Sequence, residues 1–312
     1  MPRISFHIVW AGALALSGVG CGKGKLGNGV AEEKVKPSAE LPASAPNKVP
    51  PKRVSNRPSN PNGSVFIAEY HHIRDGKSTM ERSPALMRRD LERLYKLGFR
   101  PINITEYLSG DFNLPPGASP VILTFDDAHP TQVALRADGT LDPNSGLGIL
   151  KEFSDKHPDF PPKAVFFVLP QLWGQSDQAA KKAELIKSWG GEIANHTITH
   201  PNLAKLNDEK VKEELAGSFK LLEPLQGNAE YLALPLGVSP KNKALLKSFN
   251  HQGKDYQMKA VFLVGANPAP PPSSDKFNPT RIPRIQACEG DYGLDYWLDL
   301  LEKGQVKPFV AP

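Results

Sequence analysis

Two adjacent carboxylates, Asp126 and Asp127, end the run Val121-Ile-Leu-Thr-Phe125, which is apolar and β-branched. Packing alone gives a buried strand no reason to deliver two acids to its own C-terminal end. Further along, His196-Thr-Ile-Thr-His200 offers two imidazoles, and together with Asp127 they make a two-histidine, one-carboxylate set. A hard carboxylate oxygen and two neutral imidazoles suit zinc or another first-row divalent ion, and three protein ligands leave a position for water, as catalytic sites do. The spacing puts both histidines on one face if Thr197 to His200 makes a helical turn. Fe(II) oxygenases use the same donor set. The second carboxylate favours a hydrolase, which needs a general base beside its metal.

These residues fall between elements that alternate in type. Val65 to Tyr70 reads as a strand, and His71-His72 follow it directly. Ser83-Pro84 opens a helix whose apolar residues recur at helical spacing until Gly98. A short strand, 101–104, precedes the strand at 120–125. Helical spacing over 147–153, a fully apolar strand at 164–169 and a helix from Ala179 to Trp189 come next. A short strand at 192–195 runs into the histidine pair. Asn207 caps a helix, 231–234 is a strand, Ser239-Pro240 opens another helix, 260–264 is a strand, and an amphipathic helix runs from Tyr292 to Leu301. Apolar strands separated by amphipathic helices predict a parallel sheet covered by helices. Seven or eight strands in about 250 residues fit a single-domain α/β fold, a distorted parallel (β/α) barrel, in which chemistry gathers at the C-terminal strand ends. His71, Asp126, Asp127, His196 and Pro235-Leu-Gly237 all fall at such ends.

The N-terminal fifth has a different texture. Arg3, an apolar run from Ile8 to Gly20 and then Cys21 read as a secretory signal over 1–21, too short for the roughly 20 residues that cross a membrane. A cysteine in that place resembles the lipidated first residue of a bacterial lipoprotein. Residues 22–64, rich in Pro, Ala and Lys, bury too little to fold and read as a disordered tether. The domain then spans 65–312. The net charge of +5 resides in the leader, whose first 64 residues hold 9 Lys/Arg against 3 Asp/Glu; the remainder holds 29 against 30. A neutral domain argues against nucleic acid as a partner. Only two cysteines occur, so with Cys21 lipidated Cys288 has no partner and no disulfide framework forms.

Thr124-Phe-Asp-Asp127 and His196-Thr-Ile-Thr-His200 resemble the first two motifs of the polysaccharide deacetylase family (carbohydrate esterase family 4), over roughly residues 65–290. The resemblance implies Asp126 as general base and Asp127, His196 and His200 as metal ligands, most often for zinc. Ala233-Leu-Pro-Leu-Gly237 keeps the Pro and Gly of the third motif but lacks its Arg and Tyr, so the Leu236 N–H is expected to take the oxyanion role, with Pro235 and Gly237 as expected substrate-binding residues. Tyr70-His71 after the first strand resembles the circularly permuted poly-β-1,6-N-acetylglucosamine deacetylase branch and makes His71 the general acid. Ile282-Pro-Arg-Ile285 resembles a late motif of that branch, with Arg284 expected to orient Asp126. Trp173, after the 164–169 strand, is the expected sugar-stacking platform. The implied protein is an exported cell-envelope hydrolase, touching the membrane only through a lipid at Cys21. It takes N-acetyl groups from an amino-sugar polysaccharide with water activated by the metal. The alternatives are a peptidoglycan substrate and a non-catalytic module that binds envelope polysaccharide.

Overall fold

Eight strands, every neighbouring pair parallel, form one sheet in the computed structural model, which describes residues 52–312. They are β1 (Phe66–Tyr70), β2 (Phe99–Pro101), β3 (Ser119–Asp126), β4 (Val165–Val168), β5 (Glu192–Asn195), β6 (Asn228–Ala233), β7 (Ala260–Phe262) and β8 (Ile285–Gln286). Their order is β7-β6-β5-β4-β3-β1-β8, with β2 pairing the start of β3. One short segment joins the two ends of this path. Ile282 bridges to Phe262 of β7, and three residues later Ile285 pairs with Ala68 of β1. The sheet therefore curls into a distorted barrel, and the joining segment carries Arg284.

Strand alternation divides the residues between two layers. Phe66, Ala68 and Tyr70 of β1, with Leu123 and Phe125 of β3, face outward onto a core shared with the helices. Those helices include α1 (Pro84–Lys96), α3 (Gly146–Lys156) and α6 (Leu294–Glu302). Val65, Ile67, Ile122, Val165, Phe167, Tyr231 and Phe262 fill the interior. The next inward positions along the same strands are Glu69, His71, Thr124 and Asp126, so an apolar floor gives way to charge at the C-terminal mouth. Helix α4 (Ala179–Ser188) also packs on the outer core, and α5 (Asp208–Leu222) packs a third cluster.

The caps read from sequence are present: Ser83 accepts from the Leu86 amide at 3.1 Å, and Asn207 from that of Lys210 at 2.9 Å. Two expected elements differ. The expected strand at 101–104 ends at Pro101, and a sixth helix, α2 (Ile104–Ser109), follows. Asn103 and Glu106 form a capping box there, and Glu192 from β5 accepts the Ile104 amide at 2.9 Å, a tertiary cap that local pattern does not reveal. No helix follows Ser239-Pro240. A 3₁₀ turn, Lys243–Leu246, leads into an antiparallel hairpin, Ser248–His251 with Lys254–Gln257. Its two loop residues, Gln252 and Gly253, are both left-handed (φ 53° and 77°), as a tight primed turn requires.

The tether boundary also moves. The signal segment 1–21 and the tether up to residue 51 lie outside the described residues. Residues 52–64, however, are stitched to the domain. Asn60 and Val310 exchange amide bonds of 2.9 and 3.1 Å, Ser64 accepts from Phe309 at 2.8 Å, and the Ser55 hydroxyl donates to Gly117 O at 2.6 Å. Edge pairing of the backbone, joined by polar side chains such as Ser55 and Asn60, orders this segment despite its composition. Among the described residues no helix is long and apolar enough to cross a membrane. A Cβ on Gly63 would lie 2.1 Å from Pro308 O. Gly63→Ala should therefore cost about 1–3 kcal/mol in urea unfolding by forcing the two chains apart.

Candidate metal centre and catalytic site

The C-terminal ends of β1, β3, β5 and β6 converge on a cavity of about 230 Å³, lined among others by Glu69, His71, Asp126, His196, His200 and Leu236. Asp126 is the last residue of β3 and points inward. Asp127 lies one residue on, where the chain turns left-handed (φ 75°, then 51° at Ala128). That turn gives two neighbouring acids different directions. Asp127 Oδ1 lies 3.3 Å from His196 Nε2 and 3.6 Å from His200 Nε2. Asp126 instead meets Arg284, whose Nη1 and Nη2 each donate to one of its oxygens at 2.7 Å.

The histidine pair is not on a helical turn. Thr197 and His200 are left-handed (φ 67° and 54°), and the loop between them is held from outside. Glu214 of α5 accepts the Ile198 and Thr199 amides at 3.0 and 2.9 Å, and Asn195 accepts that of Thr197 at 2.8 Å. The imidazoles nevertheless meet, with ring centroids 4.9 Å apart. Among the described residues, seven of the eleven left-handed non-glycine positions lie in the loops around this mouth: Asp127, Ala128, Leu172, Trp173, Thr197, His200 and Leu236. Each such residue costs on the order of 1 kcal/mol, and strain of this kind gathers where function fixes side-chain direction.

The donor set fits a divalent ion. His196 Nδ1 lies 2.9 Å from the Ala233 carbonyl, so Nδ1 carries the proton and Nε2 presents a lone pair. Nε2 is buried and has no hydrogen-bond partner, and it faces Asp127 and His200. The three ligand atoms lie within 4.8 Å of one another. The electrostatics point the same way. Burial opposes charge on His196, yet Asp126 and Asp127 raise its pKa, which marks a pocket arranged for positive charge.

The remaining groups differ sharply. Burial would raise the Asp126 pKa, but Arg284, then His196 and His71, hold it below the usual carboxylate range. Burial pulls His71 down to about 4, against the pull of both aspartates, so it is neutral near pH 7. Burial pushes Glu69 up to about 7, opposed by Arg284 and reinforced by Asp126.

Leu236 is left-handed (φ 57°) and 59% exposed on the lip of the cavity, beside Val264. Pro235 and Gly237 shape its turn, in which the Gly237 amide donates to Leu234 O at 2.9 Å. Trp173 cannot serve as a sugar platform, because it is fully buried against Phe166. Its backbone N–H donates to Ala128 O at 2.9 Å, and Gln171 donates to Asp127 O, so this loop supports the turn after the acids. Gln132, not singled out from sequence, donates to the carbonyls of His71 and Asp126 and ties β1 to β3 at the mouth. Glu69 was also missed, although an acid within an apolar strand, two residues before His71, is a visible signal.

Residues 113–257, just under half of the chain, match the family model described as polysaccharide deacetylase. A peptidoglycan-N-acetylglucosamine deacetylase of Bacillus cereus is 27% identical over 147 residues, spanning 46% of this chain and 46% of that protein. Among solved structures, deacetylase PplD of Streptococcus pyogenes, in complex with acetate, aligns with a TM-score of 0.57 at 20% identity. The alignment covers 77% of this chain and 99% of that one. IcaB of Ammonifex degensii aligns with a TM-score of 0.54 at 17% identity, over 77% of this chain and 97% of that one. At such identities the likeness is one of fold. His71 and Arg284 both lie outside the stretch that matches the family model.

With zinc as the probe ion, Glu214→Ala should lower divalent-metal affinity about 10–100-fold, as loss of outer-sphere support does, while His196→Ala should abolish binding; titration calorimetry on metal-stripped protein checks both. A pH test concerns His71, whose folded pKa lies below its unfolded value of roughly 6.5. Between those values the unfolded chain binds a proton the folded one does not, so His71 costs stability as pH falls from about 6.5 to about 4. Metal-free His71→Gln should therefore gain stability relative to wild type between pH 7 and pH 5, as read by urea unfolding.

Proposed function

We propose that this chain is a metal-dependent hydrolase that removes N-acetyl groups from an acetylated amino-sugar polysaccharide. The observation that carries the reading is the pairing of a metal-type Asp-His-His set with a second carboxylate gripped by a buried arginine. A binding module has no need of a base held ionised and oriented beside such a set.

The chemistry follows from the residues. When bound, a divalent ion held by Asp127, His196 and His200 would supply fixed positive charge that acidifies water and polarises an acetamide carbonyl. Asp126 takes the proton of the attacking water. Arg284 occupies one lone pair on each Asp126 oxygen and leaves the others free to accept it. The Leu236 N–H is offered to the developing oxyanion. His71 protonates the departing amine. Its ring and the Asp126 carboxylate lie within 4.8 Å, and burial keeps it neutral at rest. The proton it donates is therefore the one Asp126 has just collected. Water and acetamide thus become acetate and a free amine.

Among substrates, the arrival of His71 from the first strand supports a poly-β-1,6-N-acetylglucosamine type of polymer, while the name of the Bacillus cereus relative supports peptidoglycan as the second reading. The leader supports export to the cell envelope with a lipid at Cys21. Acetate release from both classes of oligomer by zinc-loaded protein tests the assignment and ranks the substrates. Asp126→Asn should retain zinc yet lose about 10²–10⁴-fold in rate. Zinc binding with no acetate release from any acetylated glucosamine substrate would sink the enzyme reading and leave the binding module.

A further inference from the structure

Glu69 is a buried carboxylate that the mechanism above leaves without a role. Its side chain is fully buried, and among the described residues no donor meets either oxygen in good hydrogen-bond geometry, although the Gly265 backbone N–H helps to favour its charged form. Leaving a buried carboxylate in that state is costly, and an apolar side chain like that of Ile67, two residues back on the same inward face, would fill the space more favourably. The fold therefore does not explain it. The surroundings do. Oε1 lies 3.7 Å from His71 Nε2, and Oε2 lies 3.3 Å from Arg284 Nε. Strand register enforces both contacts. Glu69 and His71 share the inward face of β1, Glu69 sits opposite Thr124, and Asp126 is two residues beyond Thr124 on the same face of β3.

The guanidinium of Arg284 thus lies between two carboxylates. Its Nη edge holds Asp126, while Nε donates to Leu263 O at 2.8 Å with Glu69 close beside it. Resting on the deacetylase reading, we propose that Glu69 is a positioning residue for the reaction, holding the imidazole of His71 and the guanidinium of Arg284 in one fixed relation. Acid and base are then aimed at the same substrate atoms through a single side chain. A second cation site is the competing use of these groups, because Glu69, His71 and Asp126 offer ligand atoms within 4.8 Å of one another. Arg284 argues against it, since its own positive charge already occupies both Asp126 oxygens and lies 3.3 Å from Glu69.

The test uses the zinc-loaded full chain with Glu69→Gln, and Glu69→Met as a second variant that tolerates an apolar site. The expected result is a fall in kcat of tenfold or more with KM within twofold and zinc content unchanged, at equal or higher melting temperature. Histidine-ring NMR supplies a readout that does not need turnover. The His71 resonances, assigned with His71→Gln, should move in both variants while those of the distant His251 stay in place. Unchanged kcat in an active enzyme, or unmoved His71 resonances, would overturn the proposal. So would two zinc ions per wild-type chain falling to one in Glu69→Gln, which would establish the second cation site. If wild type releases no acetate, the deacetylase reading fails by itself, and the NMR shifts still decide whether Glu69 orients His71.

Discussion

The buried pair between Arg284 and Asp126 is the interaction on which the rest of the site depends. Both side chains are removed from water, and a buried ion pair of this kind gains little net stability, while breaking it by deleting one partner costs about 3–5 kcal/mol. Its value is geometric. Two parallel hydrogen bonds fix the plane of the carboxylate and keep it ionised where burial alone would protonate it. The segment carrying Arg284 is also the one that joins β7 to β1. Closing the barrel and orienting the Asp126 carboxylate are therefore one structural event.

The metal-type set is built in a different way, from loops made rigid by support from outside. Asp127 and Ala128 turn left-handed immediately after β3, and the loop after β4 braces that turn through the Trp173 amide and the Gln171 side chain. The His196–His200 loop is braced by Glu214 from a helix that contributes nothing to the cavity itself. The ligands sit on irregular backbone, and regular elements hold that backbone still. This is how a loop can position donors to within the tolerance an ion requires.

His71, the proposed acid, and the arginine that grips Asp126 come from opposite ends of the domain and meet at adjacent strands. His71 arrives on β1 and Arg284 just before β8, and β8 pairs β1 directly. Both lie outside the stretch matched by the family, which covers only Asp126, Asp127, the histidine pair and the Leu236 turn. A third motif without its arginine is therefore compatible with a complete constellation, because the guanidinium reaches Asp126 from a different strand.

Much of this was legible in the residues. Apolar runs of strand length marked β1, β3, β4 and β6, and helical spacing marked α1, α3 and α5, with caps read for α1 and α5. Asp126-Asp127 and the His196/His200 spacing marked the donors, because residue type and position relative to a strand end suffice for that. Local pattern failed where long-range contacts decide. Helix α2 is capped by Glu192 from another strand, residues 52–64 are ordered by backbone pairing to the C-terminus, and an exposed-looking Trp173 is fully buried. The histidine spacing suggested a helical turn, whereas left-handed residues bring the rings together. The sequence by itself determined which side chains can hold an ion or move a proton, because donor chemistry is a property of residue type. The resemblance had already led to the expectation that Asp126 meets Arg284 and Asp127 the histidines; only the tertiary structure showed the directions that achieve this and placed Glu69 among them. Those directions depend on strand register and on the positive φ values at the loop positions that follow the strands.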